Sequence, residues 1–220
     1  MTTGGVLFDL DGVLVDSASL HVRAYERVFR DVGLDFPDVA RDAVLAGKAR
    51  SDVLDLGLPR EKADLKNRLF EAKPAALKMV LRNTEDCSMS GATETVHALA
   101  RAGIPMAVVT NSRNPEIWIE KIGLADQIQV VITGNDVSSP KPSADGYLLG
   151  AERLGLPPGN CLAVEDSLDG WMAAKNAGMR VVLVADSKPT WVESDADLMR
   201  RLDAESILGR LGHGPTRREW

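Results

Sequence analysis

The sequence has few cysteines and no long apolar run. Cys87 and Cys161 are the only two cysteines of the 220-residue chain, and they lie far apart. They cannot form a disulfide framework or a paired zinc motif, so we expect two reduced, buried thiols. No apolar stretch approaches the roughly 18 residues that a membrane-spanning helix needs. Asp9 and Asp11 interrupt the apolar stretch near the N-terminus, so we expect no signal peptide, no membrane partner and, by default, a cytoplasmic location.

Basic residues are fewer than acidic residues. The chain has 26 lysines and arginines against 32 aspartates and glutamates, which gives a net charge of −6. This balance argues against a nucleic-acid partner, and an anionic substrate would need a local cluster of groups or a metal ion to hold it. The P-loop, G-x-G-x-x-G, H-E-x-x-H and G-x-S-x-G motifs are absent. ATPase, dinucleotide-dependent redox, metalloprotease and serine-elbow hydrolase chemistry therefore lack support.

Five short, continuous apolar runs predict the strands of a parallel sheet. They cover residues 5–8, 105–109, 128–132, 161–164 and 181–184. Continuous runs rich in β-branched residues are typical of strands that are buried on both faces. Helical patterns, each followed by a glycine, lie at 92–102, 114–122, 143–154 and 167–177. This alternation predicts an α/β fold with a doubly wound, Rossmann-like parallel sheet.

The segment 17–83 breaks the alternation because it contains no convincing strand. Leu20, Ala24 and Val28 recur there at helical spacing. We therefore predict an all-helical insertion at 17–83 within a core made of residues 1–16 and 84–208. Pro74 is expected to kink or end one of the inserted helices. Near the C-terminus we expect a short helix at 195–211, and we assign residues 209–220 to a tail.

Acidic and polar residues follow the ends of the predicted strands. They are Asp9 and Asp11 after the first strand, Thr110 and Asn111 after the second, Lys141 after the third, and Glu165 and Asp166 after the fourth. Ligands of open α/β sheets bind in the crevice at the carboxyl ends of the strands, so these groups are expected to converge. Each of them alone has an ordinary explanation as a helix cap or a surface charge. Their convergence favours a functional site.

The residue types at this site point to phosphoryl transfer. Four carboxylates with a single lysine form an acidic pocket that needs a divalent cation, and hard oxygen ligands without histidine or cysteine favour Mg²⁺ over zinc. The cation and Lys141 together would offset the negative charge of a phosphoryl group, so that it could bind among the carboxylates. One carboxylate can serve as a nucleophile, while its neighbour transfers the proton of the leaving oxygen.

At these residues the sequence resembles the haloacid dehalogenase-like superfamily, in its subgroup with a small helical cap. The resemblance runs from Val6 to about Val184, through the segments DLDGVLVDS, TNS, KPSADGYLLGAERLG and VEDSLDGWMAAKNAGM. It implies that Asp9 is the nucleophile and Asp11 the general acid and base. It also implies that Lys141 bridges Asp9 and the phosphoryl group.

The resemblance implies further ligands for the phosphoryl group and the metal. Thr110 and the Asn111 amide would hold the phosphoryl group. Asp9, the main-chain carbonyl of Asp11 and Asp166 would hold Mg²⁺. Glu165 would lie next to the ion or in its shell.

The resemblance assigns the choice of substrate to the cap. The implied substrate-binding residues are His21, Gly47, Arg50 and Lys73. Gly47 and Arg50 resemble a loop of β-phosphoglucomutases in which an arginine follows a glycine by three positions. However, Val53 stands where the mutases have a serine, and Tyr25 stands where they have a tryptophan. These departures favour a phosphatase, in the range of β-phosphoglucomutase-like and phosphoglycolate phosphatase-like proteins.

We therefore expect a Mg²⁺-dependent phosphomonoesterase that acts on a small phosphorylated metabolite through an aspartyl-phosphate. The substrate would be a sugar phosphate or a phosphoglycolate-like acid. A phosphosugar mutase of the β-phosphoglucomutase type is the first alternative. A catalytically silent binding or regulatory protein with the same fold is the second. We expect a monomer or a weak homodimer.

Overall fold

The structure, a computed structural model, describes residues 4–192 and 196–212. The chain forms two compact units. The sheet unit consists of the described residues up to Val15 and from Ser88 onward, and the helical unit consists of Asp16–Cys87. At the boundary, Val15 pairs with Ser88 in an antiparallel bridge, and the Met89 N–H donates to the Leu14 carbonyl. In the described ranges, no helix is long and apolar enough to cross a membrane.

The sheet unit is built on a parallel sheet with the order β3-β2-β1-β4-β5-β6. The strands are β1 (Gly5–Phe8), β2 (Met106–Val109), β3 (Val130–Ile132), β4 (Cys161–Glu165), β5 (Arg180–Val184) and β6 (Asp197–Met199). All neighbouring strands pair in parallel. The strand order reverses direction between β1 and β4, which is the switch point of a doubly wound sheet. The predicted α/β fold is confirmed.

The helical unit contains four α-helices and one 3₁₀ segment, Arg60–Leu65. The helices are α1 (Ser17–Arg30), α2 (Asp38–Leu45), α3 (Arg50–Gly57) and α4 (Lys66–Arg82). The Asp16 carboxylate caps α1 by accepting a hydrogen bond from the Ser19 N–H at 3.2 Å. Helix α1 packs against α4, and the apolar series predicted from helical spacing forms its buried side.

Pro74 lies inside α4, which continues to Arg82. Of the two effects predicted for this proline, a kink or a helix end, the structure excludes the helix end. A proline has no N–H, so the Phe70 carbonyl four residues earlier loses its donor within the helix. Arg50 supplies a replacement, because its Nη1 donates to the Phe70 carbonyl oxygen at 3.2 Å. The Arg50 guanidinium also lies over the Phe70 ring, 4.5 Å from its centroid.

Among its described residues, the sheet unit contains five further α-helices. They are α5 (Ala92–Arg101), α6 (Glu116–Lys121), α7 (Asp145–Arg153), α8 (Leu168–Asn176) and α9 (Ala204–Gly212). Helix α7 packs against β1, β2 and β3, whereas α8 packs against β4 and β5. Gly150 of α7 approaches Leu7 so closely that a Cβ there would overlap it. Successive residues of a strand point to opposite faces of the sheet, so Phe8 and Val164 face away from the side on which Leu7 lies. They are also fully buried, so both faces of the sheet are covered.

The C-terminal part of the sheet unit differs from the prediction of one helix at 195–211. Asp197–Met199 form the edge strand β6, with Leu198 opposite Leu183 of β5, and α9 begins only at Ala204. Three residues are too few to show a periodicity, so the pairing with β5 decides their conformation. Residues 209–212, which we assigned to the tail, complete α9. Residues 213–220 of that tail lie outside the described residues, as do 193–195.

Candidate active site

The site lies at the carboxyl ends of β1 and β4, the neighbouring strands at the switch point. Asp9 follows β1 directly, and its N–H donates to the Val164 carbonyl of β4 at 2.9 Å. Glu165 is the last residue of β4, and Asp166 follows it. Gly12 makes the turn after β1 with a φ of 84°, and a side chain at Gly12 would overlap the Asp166 carboxylate. The fold therefore brings three predicted acids together over a turn that requires glycine.

Lys141 joins two of these acids. Its Nζ lies 2.5 Å from Asp9 Oδ1 and 2.5 Å from Glu165 Oε1. The three side chains are almost completely buried. Burial acts to lower the pKa of Lys141, but the negative charges of Asp9 and Glu165 raise it above the ordinary lysine value. The Lys141 N–H donates to Asn111 Oδ1 at 3.0 Å, which ties the loop that carries Lys141 to the second residue after β2.

The acids form a cluster that suits a hard divalent cation. Carboxylate oxygens of Asp9, Glu165 and Asp166 all lie within 4.8 Å of one another. Burial, together with neighbouring acids, raises the pKa of Asp9, although Lys141 opposes this effect. Burial and the Glu165 charge raise the pKa of Asp166 to about 7. The single positive charge of Lys141 does not balance the negative charges of the three carboxylates. A set of carboxylate oxygens with excess negative charge fits Mg²⁺. The Asp11 carboxylate does not belong to the cluster.

Thr110 lies at the end of β2, and its side chain is buried. Its Oγ1 accepts a hydrogen bond from the Ser112 N–H at 3.0 Å. A hydroxyl can accept and donate at the same time, so this bond orients the oxygen without using its proton. The arrangement can present a hydrogen-bond donor to an anionic group.

The predicted cap residues lie in the helical unit, where the structure brings three of them close together. Lys73 Nζ contacts His21 Nδ1. Burial, with the charges of Lys73 and Arg50, lowers the pKa of His21 to about 4. Burial and the Arg50 charge lower the pKa of Lys73 to about 7. Gly47 forms an exposed turn between α2 and α3 with a φ of 69°, and no atom lies within 4 Å of where its side chain would begin.

Comparison with known proteins identifies the family. Residues 6–184 match the model of the haloacid dehalogenase-like hydrolases. The chain belongs to this family. It is 33% identical to hexitol phosphatase A of Escherichia coli (strain K12) over 202 residues, which cover 90% of this chain and 91% of that protein. It is 27% identical to the β-phosphoglucomutase of Bacillus subtilis (strain 168) over 213 residues, which cover 94% of this chain and 92% of that protein.

A solved structure supports the same assignment. A crystal structure of a mutant CbbY from Rhodobacter sphaeroides in complex with xylulose-(1,5)bisphosphate matches this fold with a TM-score of 0.70 and 25% sequence identity. The match covers 91% of this chain and 95% of that chain. The predicted family, fold and hydrolase class of this haloacid dehalogenase-like protein are confirmed.

Two residues at the site of this haloacid dehalogenase-like hydrolase escaped the sequence reasoning. The Tyr147 hydroxyl donates to Glu165 Oε1 at 2.7 Å, and the Ser167 hydroxyl donates to Glu165 Oε2 at 3.2 Å. Tyr147 lies on the apolar side of α7, where a tyrosine indicates core packing. Ser167 is also the N-cap of α8, accepting from the Gly170 N–H. Only the folded distances reveal that both contact Glu165.

Proposed function

We propose that this haloacid dehalogenase-like hydrolase is a Mg²⁺-dependent phosphatase that hydrolyses a small phosphorylated sugar or a related phosphorylated acid. The observation that carries the proposal is the buried contact of Lys141 with Asp9 beside the acidic cluster. A carboxylate held against a lysine, next to oxygen ligands for a cation, suits attack on a phosphoryl group. Similarity to a hexitol phosphatase supports a sugar phosphate as substrate.

The reaction would proceed in two displacements at phosphorus. An Asp9 oxygen attacks the phosphorus and forms an aspartyl-phosphate, while Asp11 donates a proton to the leaving alkoxide. Asp11 then removes a proton from a water molecule that attacks the same phosphorus, which releases inorganic phosphate and frees Asp9. Lys141 neutralises charge on Asp9 and on the phosphoryl oxygens throughout. The Thr110 hydroxyl and the Asn111 amide donate hydrogen bonds to those oxygens.

Asp9, Asp166 and the main-chain carbonyl of Asp11 would hold the metal, with Glu165 beside it. When bound, Mg²⁺ supplies positive charge that offsets the carboxylates and the phosphoryl oxygens. Asp166 lies against Gly12, so the turn after β1 fixes where its carboxylate can lie.

His21, Arg50 and Lys73 are proposed to bind the rest of the substrate. They form a group of nitrogen-bearing side chains in the helical unit, and in residues 4–192 and 196–212 no described ion pair involves Arg50 or Lys73. Such a group suits a hydroxyl-rich or second anionic part of a metabolite. Gly47 would set the course of the turn that precedes Arg50.

A β-phosphoglucomutase-type mutase is the second candidate, supported by the similarity to the Bacillus subtilis enzyme. Val53, at the position where the mutases have a serine, is 1% exposed within the helical unit and offers no hydrogen-bonding group. We therefore favour hydrolysis. Incubation with β-glucose 1-phosphate, Mg²⁺ and a trace of the sugar bisphosphate separates the two, because a mutase yields isomerised sugar phosphate and a phosphatase yields free phosphate.

Replacing the proposed nucleophile tests the proposal. Asp9→Asn keeps the size of the side chain but removes its nucleophilic oxygen, so phosphate release should fall by about a thousandfold or more. The assay is release of inorganic phosphate from a panel of sugar phosphates and phosphoglycolate with Mg²⁺. Asp42→Asn, which changes an exposed acid of α2, is the matched control and should keep full activity.

The possible outcomes separate the candidates. Near-normal turnover in folded Asp9→Asn contradicts the assignment of the nucleophile. A wild-type protein that is inert on the whole panel supports the catalytically silent alternative. Circular dichroism and thermal melting of both variants confirm that any loss of activity is not a loss of folding.

A further inference from the structure

The carboxylate of Glu165 accepts four hydrogen bonds from the protein, two on each oxygen. Oε1 accepts from Lys141 Nζ at 2.5 Å and from the Tyr147 hydroxyl at 2.7 Å. Oε2 accepts from the Asp166 N–H and from the Ser167 hydroxyl, both at 3.2 Å. A carboxylate has about four acceptor positions, so those of Glu165 are all engaged. Glu165 is therefore built as an anchor for its neighbours.

The surroundings hold this carboxylate in one place. Glu165 is completely buried, and its carboxyl group lies so close to Gly170 of α8 that any side chain there would overlap it. Tyr147 is completely buried as well, in the apolar core that contains Leu7 and Ile132. The tyrosine ring therefore has little freedom to turn its hydroxyl away from Glu165.

Tyr147 contacts both members of the Glu165–Lys141 pair. Besides the hydrogen bond to Glu165, its ring centroid lies 5.2 Å from Lys141 Nζ, within the range of a cation–π contact. A phenylalanine would fill the same apolar space, so packing alone does not account for the hydroxyl. An ammonium group has three N–H donors. Two of those on Lys141 reach Asp9 and Glu165, which leaves one for a phosphoryl oxygen.

We propose that Tyr147 is a positioning residue that acts through Glu165 to hold Lys141 Nζ against Asp9. The role in turnover rests on the proposed function, whereas the anchoring itself does not. Without the hydroxyl, one acceptor position of Glu165 becomes vacant, and the three remaining hydrogen bonds orient the carboxylate less firmly. The lysine follows the carboxylate and is then less well placed to stabilise charge in the transition state.

Tyr147→Phe tests this inference with minimal disturbance of packing. We expect kcat to fall roughly tenfold with KM changed less than about twofold, because the bond lost is charge-assisted and acts on the reacting centre. Thr95→Val is the matched control, since it removes another buried hydroxyl from the sheet unit, in α5. It should leave both constants unchanged. An unchanged kcat in Tyr147→Phe overturns the inference.

A double-mutant cycle tests whether Tyr147 acts through Glu165. Glu165→Gln weakens the anchor directly, so adding Tyr147→Phe to it should lower kcat by less than about twofold further. Losses that simply multiply in the double variant would mean that the tyrosine acts independently of Glu165. That result also overturns the inference.

A crystal structure of metal-free Tyr147→Phe provides a readout that does not depend on activity. We expect Lys141 Nζ to move away from Asp9 Oδ1 relative to the wild-type protein, and to stay in place in Thr95→Val. An unmoved lysine contradicts the anchoring even if the wild type proves inert. Conversely, a moved lysine in a protein without phosphatase activity supports the anchoring while the proposed function fails.

Discussion

Lys73 is a buried lysine of the helical unit whose charge opposes folding. Only 4% of its surface is exposed, and burial and the Arg50 charge lower its pKa to about 7. Between about pH 7 and the ordinary lysine pKa of 10.5, the unfolded chain is protonated at this residue and the folded chain is not. The unfolded state then binds more protons, so stability rises with pH across this window. Below pH 7, Lys73 is protonated in the folded state as well, so burial of its positive charge lowers the stability of the protein by the full amount.

Lys73→Met should remove this pH dependence. We expect the variant to be more stable than the wild type at pH 7, and its advantage to shrink by about 2 kcal/mol between pH 7 and pH 9. Urea unfolding at both pH values measures the difference, in which the titrations of groups that do not interact with Lys73 cancel. Lys78→Met, an exposed lysine of the same helix, is the control and should show a constant difference. An equally constant difference for Lys73→Met would contradict the prediction.

Residues at strand ends could be predicted because their position follows from the fold. Asp9, Lys141 and Asp166 follow apolar runs of a parallel sheet, and the structure brings them together. Their catalytic roles stay predictions. Tyr147 could not be found in this way, because its ring belongs to the core and its hydroxyl to the site. The helical spacing of apolar residues in the sequence indicates that the ring is buried, but it does not indicate where the hydroxyl lies.

Helix α4 shows how a contact between elements overrides a local preference. A proline in a helix interior costs about 3 kcal/mol, through the missing hydrogen bond and a clash with the preceding turn. Here the Phe70 carbonyl that loses its donor accepts from Arg50 at the start of α3. The replacement donor comes from 20 residues away in sequence, so no local pattern could indicate it.

Pro74→Ala should stabilise the protein, because alanine restores the N–H that bonds the Phe70 carbonyl. We expect a gain of about 1–3 kcal/mol in the free energy of unfolding. Arg50→Ala should then cost less stability in the Pro74→Ala background than in the wild type, with a coupling of about 0.5–1.5 kcal/mol. Urea unfolding of the four proteins gives this coupling. The contact between the guanidinium and the Phe70 ring is present in both backgrounds and cancels.

Two results would argue against this account of α4. Strict additivity of Pro74→Ala and Arg50→Ala would mean that Arg50 does not replace the missing donor. A loss of stability in Pro74→Ala would mean that the proline itself is favourable at this place. Phe70→Leu, which keeps the carbonyl and removes the ring, should leave the coupling intact.

The longer elements were predictable and the short ones less so. Five continuous apolar runs correspond to β1–β5, because burial on both faces leaves a clear signal in the sequence. β6 has three residues and lies at the edge of the sheet, so its conformation depends on β5 rather than on its own pattern. Helix ends shifted by a residue or two, as in α6, predicted at 114–122 and found at Glu116–Lys121.

The molecule as a whole carries excess negative charge, and its sheet unit concentrates several acids around one lysine. The net charge is −6, so the field of the chain does not attract a phosphorylated substrate. Asp9, Glu165 and Asp166 lie within 4.8 Å of one another, with Lys141 as their cationic partner. Binding of the proposed divalent cation would therefore remove a repulsion between carboxylates that the folded state carries and the unfolded chain largely does not.

Mg²⁺ should accordingly stabilise the folded protein. A ligand that binds only the folded state adds about 2.7 kcal/mol at a hundred times its dissociation constant, which corresponds to a rise in melting temperature of roughly 5–10 °C for a chain of this size. Thermal melting after treatment with EDTA, with and without added MgCl₂, measures the shift, and NaCl of equal ionic strength controls for screening. Asp166→Asn should lose most of the Mg²⁺ shift, whereas Asp42→Asn should keep it. An equal shift in Asp166→Asn would remove Asp166 from the proposed ligands, and a wild-type shift no larger than that of NaCl would contradict the metal site.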